Sequence, residues 1–204
     1  MSLITRWTGL AGDSRAARAV GAELLARWAE PHRRYHTLDH LRAVLDAITP
    51  LAALAADPAA VRLAAWFHDA VYDGRPGLDE ERSAQLAQAA LPRCGVGPAR
   101  VTETARLIRL TAAHSPEPGD ANGSVLCDAD LAVLAAPGYP AYTRAIREEY
   151  AHVPDDLFRA GRGAVLRALL AQPRLYRTPR AHDLWEAAAR ANMTAELDGL
   201  SRPH

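Results

Sequence analysis

The 204-residue sequence predicts an all-α protein, and three observations carry that prediction. Alanine and leucine abound, and both favour helices. Runs of β-branched residues alternating with polar ones, the mark of strands, are missing. Asp57-Pro58 and Thr178-Pro179 each join a capping side chain to a proline suited to the first helical position.

The elements follow in order. A first helix is expected from about Ser14 to Glu30, stopped by Pro31. A second starts at Thr37, a plausible N-cap, and runs to Ile48 ahead of Pro50. A third opens at Asp57-Pro58, carries Leu63, Trp66 and Phe67 into the core, and delivers His68-Asp69 near its C-terminal end. The loop Asp73–Gly77 leads to a helix from about Asp79 to Leu91 with acids in its first turn, where they complement the helix dipole. Gly97-Pro98 restarts the chain into a helix ending near His114. Ser115 to Gly123 reads as a loop. Helices are then expected around Val125–Leu134, Tyr139–His152, Asp155–Leu170 (weakened by Gly161 and Gly163) and Thr178–Leu197. The expectation is about eight to nine helices in a single domain over 1–204, with candidate ligands on both sides of the 115–123 loop.

Composition narrows the function classes. The formal net charge is zero, from 24 basic and 24 acidic residues, which argues against a strongly basic surface for DNA or RNA. Every basic residue is an arginine, so a phosphate clamp must be guanidinium and lysine Schiff-base chemistry is excluded. Cys94 and Cys127 have neither CxxC spacing nor a disulfide pattern, which suits a reducing cytoplasm. The N-terminal residues lack the pattern of a secretory signal, and no apolar run is long enough for a membrane span. A cytoplasmic protein without membrane contact is expected; a homo-oligomer stays open.

The residues that packing explains least are His68 and Asp69, at the end of the apolar run Val61–Phe67. A carboxylate in apolar surroundings is costly unless paired or bound to a metal. Alternatively, the histidine caps the helix C-terminus while the acid pairs with an arginine. Further potential ligands stand at His36 and His40, where a cap at Thr37 puts His36 just outside the helix and His40 in its first turn. Asp128 and Asp130 interrupt another apolar run, one as a helix cap and the other in the first turn, or both as caps.

Together these segments resemble the HD superfamily of metal-dependent phosphohydrolases, whose signature is a His, a His-Asp pair and a distal Asp on separate helices. The similarity extends to a bacterial subgroup described as predicted metal-dependent HD phosphohydrolases. It is carried by Tyr35-His36-Thr37-Leu38-Asp39-His40, Trp66-Phe67-His68-Asp69-Ala70-Val71-Tyr72-Asp73, Glu80-Glu81-Arg82-Ser83-Ala84, Asp128-Ala129-Asp130-Leu131, Ile146-Arg147-Glu148-Glu149-Tyr150, Gly161-Arg162 and Ala189-Arg190-Ala191-Asn192, roughly residues 30 to 197. The resemblance implies an HD-type helical bundle. Its metal-site core covers about 30–135, with C-terminal helices over about 139–197 packed on it. It implies His40, His68, Asp69 and Asp130 as metal ligands, with Asp128 the competitor for the distal position.

Two imidazoles and two carboxylates suit one divalent transition metal (Mn, Fe, Co, Ni or Zn), with Mg also admissible. Such an ion can acidify water and polarise a phosphoryl group. The implied activity is hydrolysis of a phosphomonoester or nucleotide, a small phosphorylated substrate. Certain HD nucleotidases carry an acid three residues after the Asp of the pair, where this chain has Tyr72. Proton handling is therefore expected from Asp69, Asp73, Glu81 or His114, with Glu80 adjacent, and substrate contacts from Arg34, Tyr35, His36, Arg147, Tyr150 and Arg162. Dinuclear HD proteins insert two more histidines before the distal Asp; only His114 stands there, which favours one ion and disfavours an iron-dependent HD-fold oxygenase. A non-catalytic metal- or nucleotide-binding sensor is the remaining alternative.

Overall fold

The computed structural model describes residues 1–201. Among them are ten α-helices and no strand. In order they are α1 (Leu3–Ala11), α2 (Arg15–Trp28), α3 (Leu38–Ile48), α4 (Pro58–Phe67), α5 (Leu78–Ala90), α6 (Pro98–Leu110), α7 (Ala121–Asp130), α8 (Tyr139–Glu149), α9 (Asp155–Leu170) and α10 (Pro179–Leu200), with 3-10 turns at Thr49–Leu54, Leu91–Cys94 and Leu131–Ala135. No described helix is long and apolar enough to cross a membrane.

The core is organised around α4. Asp57 caps it by accepting from the Ala59 and Ala60 amides, and Val61, Leu63 and Ala64 through Phe67 are all buried. A helix apolar on all sides but that of Arg62 must be largely surrounded, and α4 packs against α1, α3, α5, α6 and α7. Trp7 meets Trp66 edge-to-face at 5.2 Å, and the indole N–H of Trp28 donates to the Trp66 carbonyl at 3.0 Å. Burial of these rings dominates the apolar stabilisation. It also fixes the C-terminal end of α4, where His68 stands.

Three elements depart from the sequence expectation. The tenth helix is α1, capped by Ser2 and docked through Trp7, whose indole donates to the Ala17 carbonyl at 2.6 Å. Its nine residues are too few for pattern alone to announce, and tertiary packing supplies its stability. Second, α7 begins at Ala121 inside the expected loop. Asp120 caps it through the Gly123 amide, and Gly123 is required because a Cβ there would lie 2.6 Å from Leu110 Cδ2 and 2.3 Å from Asp120 Oδ2. Asp128 and Asp130 therefore occupy the last turn of α7, where a first turn was expected. Third, α8 ends at Glu149 because Arg147 donates to the carbonyls of Tyr150 and Val153, turning the chain toward α9.

Candidate metal centre

Three helix ends bring the donors together. His40 lies in the first turn of α3, whose N-cap Thr37 accepts from the Asp39 amide. His68 is the C-cap of α4, and Asp130 is the last residue of α7. Since α7 packs on both α3 and α4, these positions meet. The Nε2 atoms of His40 and His68 are 3.3 Å apart, and Asp130 Oδ1 is 3.2 Å from the first and 3.4 Å from the second. This near-equilateral triangle has the spacing of adjacent ligands at about 2.2 Å from one ion, whose donors stand about 3 Å apart. The His40, His68 and Asp130 group could hold a metal ion.

The donor chemistry fits. His68 Nδ1 lies 3.0 Å from the Ala65 carbonyl, which can only accept. The proton of neutral His68 is therefore on Nδ1, and the Nε2 lone pair faces the triangle, an orientation that suits metal-binding histidine. Asp69 Oδ2 stands beside the triangle, 3.0 Å from His68 Nε2 and 3.7 Å from His40 Nε2.

Burial acts against charge on His68, but the Asp69 and Asp130 carboxylates outweigh it and raise its pKa well above the ordinary value. Burial dominates at His40 and lowers its pKa. Burial also opposes ionisation of Asp69, yet His68 and His36 hold its carboxyl down to about 2. Asp130 is likewise well below the usual carboxylate range, because His68, His114 and His40 overcome its burial. The centre is thus a buried array of imidazoles with ionised carboxylates, in which a bound cation would replace the proton on His68.

Asp128 and Asp130 have separate tasks. Asp128 Oδ1 and Oδ2 accept from the Arg177 and Thr178 amides, each at 2.7 Å, holding the start of α10 to α7. Its carboxylate is directed at that backbone, and Asp130 is the acid at the triangle. His114 Nε2 lies 2.8 Å from Asp130 Oδ2. His114 adopts φ 48°, a left-handed conformation that costs a non-glycine residue about 1 kcal/mol.

A pocket of about 220 Å³ opens over the cluster. Tyr35, His36, Tyr150 and His114 line it, as expected of site residues. Other expected residues are engaged elsewhere. Asp73 pairs with Arg82 at 2.5 Å and Glu81 with Arg109 at 2.5 Å, both at the surface. Arg34 donates to the Pro31 and Arg33 carbonyls, Arg147 closes α8, and Arg162 pairs with Glu196 at 2.8 Å. None of these five lines the pocket; its arginine is Arg75, from the loop before α5, and its acids near that loop are Asp79 and Glu80. Arginine-rich surfaces satisfy most of their guanidinium groups locally, which spacing along the chain does not reveal.

Two positioning residues escaped the sequence reading. The Glu149 carboxylate accepts from the amides of Arg34, Tyr35 and His36 at 2.8, 2.8 and 3.2 Å, and from His36 Nδ1. Burial opposes its charge, but His36, Tyr72 and these amides push its pKa well down. His36 stacks on Tyr72, with Nε2 3.9 Å from Asp69 Oδ2. An acid at the C-terminal end of a helix opposes the macrodipole, and that was the available signal at Glu149. Arg33, with its side chain fully buried, donates to the carbonyls of His36, Asp69 and Ala70 and bonds Glu30. Nothing in Arg33-Arg34 distinguishes the buried arginine from the exposed one.

No family model matches the chain, and no curated protein or solved structure does. The donor geometry is therefore the basis for any functional reading.

Proposed function

We propose that this chain is a cytoplasmic metal-dependent phosphohydrolase of the HD type, acting on a phosphomonoester or nucleotide. The observation that carries the reading is the triangle of His40 Nε2, His68 Nε2 and Asp130 Oδ1, with Asp69 beside it under an open pocket. His40, His68, Asp69 and Asp130 would hold one divalent ion. When bound, such an ion supplies Lewis acidity toward water and a phosphoryl oxygen. Water's oxygen bonds phosphorus and gives up a proton, the P–O bond to the alcohol breaks, and the alcohol takes up a proton, so beyond water no oxidant or co-substrate is needed.

The chain's own residues arrange this chemistry. Glu149 accepts the Nδ1 proton of His36, which leaves Nε2 free to accept or return a proton at the pocket. His114 is oriented by Asp130 and is the second candidate for that task. Arg75 offers a guanidinium to phosphate oxygens from the pocket rim.

The test is elemental analysis and a phosphate-release panel with Mn, Fe, Co, Ni, Zn and Mg. Wild-type protein is expected to carry close to one ion per chain. His68→Ala and Asp69→Ala are expected to lose bound metal and at least about a hundredfold in turnover. Full metal occupancy in both variants would sink the assignment.

A further inference from the structure

The metal pocket has a larger, apolar neighbour. A cleft of about 690 Å³ lies between α3, the 3-10 turn Leu131–Ala135 and α8, with Trp185 of α10 on its wall. It adjoins the metal centre, with Tyr35, His40, Asp130, Val133 and Tyr142 lining both spaces. Tyr35 and Tyr142, with ring centroids 4.6 Å apart, belong to the shared wall.

The cleft is made by small side chains. Ala43 and Ala47 on α3 face it, as do Ala141 and Ala145 on α8. The spacing of four places each pair on one helix face. Protein interiors normally close such space to the density of an organic crystal. Alanine on both walls keeps it open, at a size within the range of about 300–1,000 Å³ typical of small-molecule sites. The charged residues on its rim outside the metal cluster are engaged: Arg34 with two backbone carbonyls, and Asp39 with Arg42 at 2.6 Å.

We propose that this cleft binds the organic group of the substrate and that this group is apolar. The substrate class is then a phosphate monoester of a hydrophobic, ring-bearing alcohol. The 220 Å³ pocket takes the phosphoryl end and the 690 Å³ cleft takes the alcohol. The phosphoryl assignment rests on the phosphohydrolase reading; affinity of the cleft for an apolar ring does not.

The experiment separates the two. Trp7, Trp28 and Trp66 are fully buried, so Trp185 is the tryptophan positioned to report on the cleft. Naphthol, which carries no phosphate, is expected to quench tryptophan fluorescence saturably in wild-type protein, and Trp185→Phe is expected to abolish the signal. Ala47→Leu and Ala145→Leu fill the cleft from opposite walls. Each is expected to weaken naphthol binding and to raise KM for naphthyl phosphate by about tenfold or more. Turnover of glycerol phosphate should stay within about twofold.

Absence of naphthol binding, or unchanged binding in both filled variants, overturns the cleft proposal even if glycerol phosphate is hydrolysed. Self-association that blocks naphthol binding marks the cleft as an interface between copies and also overturns it. Naphthol binding without phosphate release from any ester supports the apolar site and overturns the phosphohydrolase reading.

Discussion

Glu149 shows how one buried carboxylate can organise a site without touching the metal donors. It collects three consecutive amides and the His36 ring, so the Arg34–His36 segment is held by one residue from α8. Hydrogen bonds to a charged group contribute about 1.5–3 kcal/mol each when a partner is lost in a buried setting. Glu149→Gln is expected to destabilise the fold by about 2 kcal/mol at neutral pH, read from urea unfolding. The pH dependence has a definite sign. The folded-state pKa of Glu149 is depressed, so its contribution is complete above the unfolded glutamate value of about 4.5 and is lost as pH falls through the folded value. The stability gap between wild type and Glu149→Gln should be flat near neutrality and shrink in acid; a gap that widens in acid would contradict this role.

At the scale of elements, the two aspartates of α7 separate architecture from chemistry. Asp128 joins α7 to the start of α10 through two amides, whereas Asp130 faces two imidazoles of the cluster. Asp128→Ala is expected to lower stability by about 2–3 kcal/mol and to retain the metal donors. Asp130→Ala should lose metal and, because His68, His114 and His40 hold its carboxyl well below the usual range, should also lower apo-protein stability at neutral pH. Equal metal affinity in the two variants would contradict the division. A second test concerns α1. A Cβ on Gly21 would fall 2.3 Å from Trp7 Cδ1. Gly→Ala normally strengthens a helix by about 1 kcal/mol, but this overlap forces α1 away from α2, so Gly21→Ala should melt at a lower temperature. A higher melting temperature would show that α1 can shift at little cost.

For the whole molecule, the cluster ties α3, α4 and α7 together at one end of a core that holds without it. Trp7, Trp66 and Phe67 are fully buried and pack on one another, while Trp28 links Trp66 to the His40 and His68 rings. A chelator should therefore leave the helical signal intact, while a divalent ion at about a hundred times its Kd should add about 2.7 kcal/mol to unfolding. At one fixed ion concentration the increment should be larger at about pH 8 than at about pH 6. Protons compete for His68, whose pKa is raised, and metal must displace them. Calorimetric scans with and without metal at both pH values check this; cooperative unfolding on chelation would mean that the core depends on the ion.

Helix type, the caps at Thr37, Asp57 and Thr178, and a wider set of candidate donors (His36, His40, His68, Asp69, Asp128 and Asp130) were legible in the sequence, and the HD resemblance implied His40, His68, Asp69 and Asp130 among them. They depend on local propensity, capping chemistry and the cost of charge in apolar surroundings. The resemblance favoured Asp130 over Asp128, but seeing which of them faces the triangle required the tertiary structure, because two residues of spacing on a helix turn a side chain through about 200° and only the neighbours say which direction is inward. So did the engagement of Arg34, Arg147 and Arg162, the anchoring by Glu149 and Arg33, and the alanine-walled cleft. Each is a relation between segments distant in the chain, set by how helices pack and invisible to any local pattern.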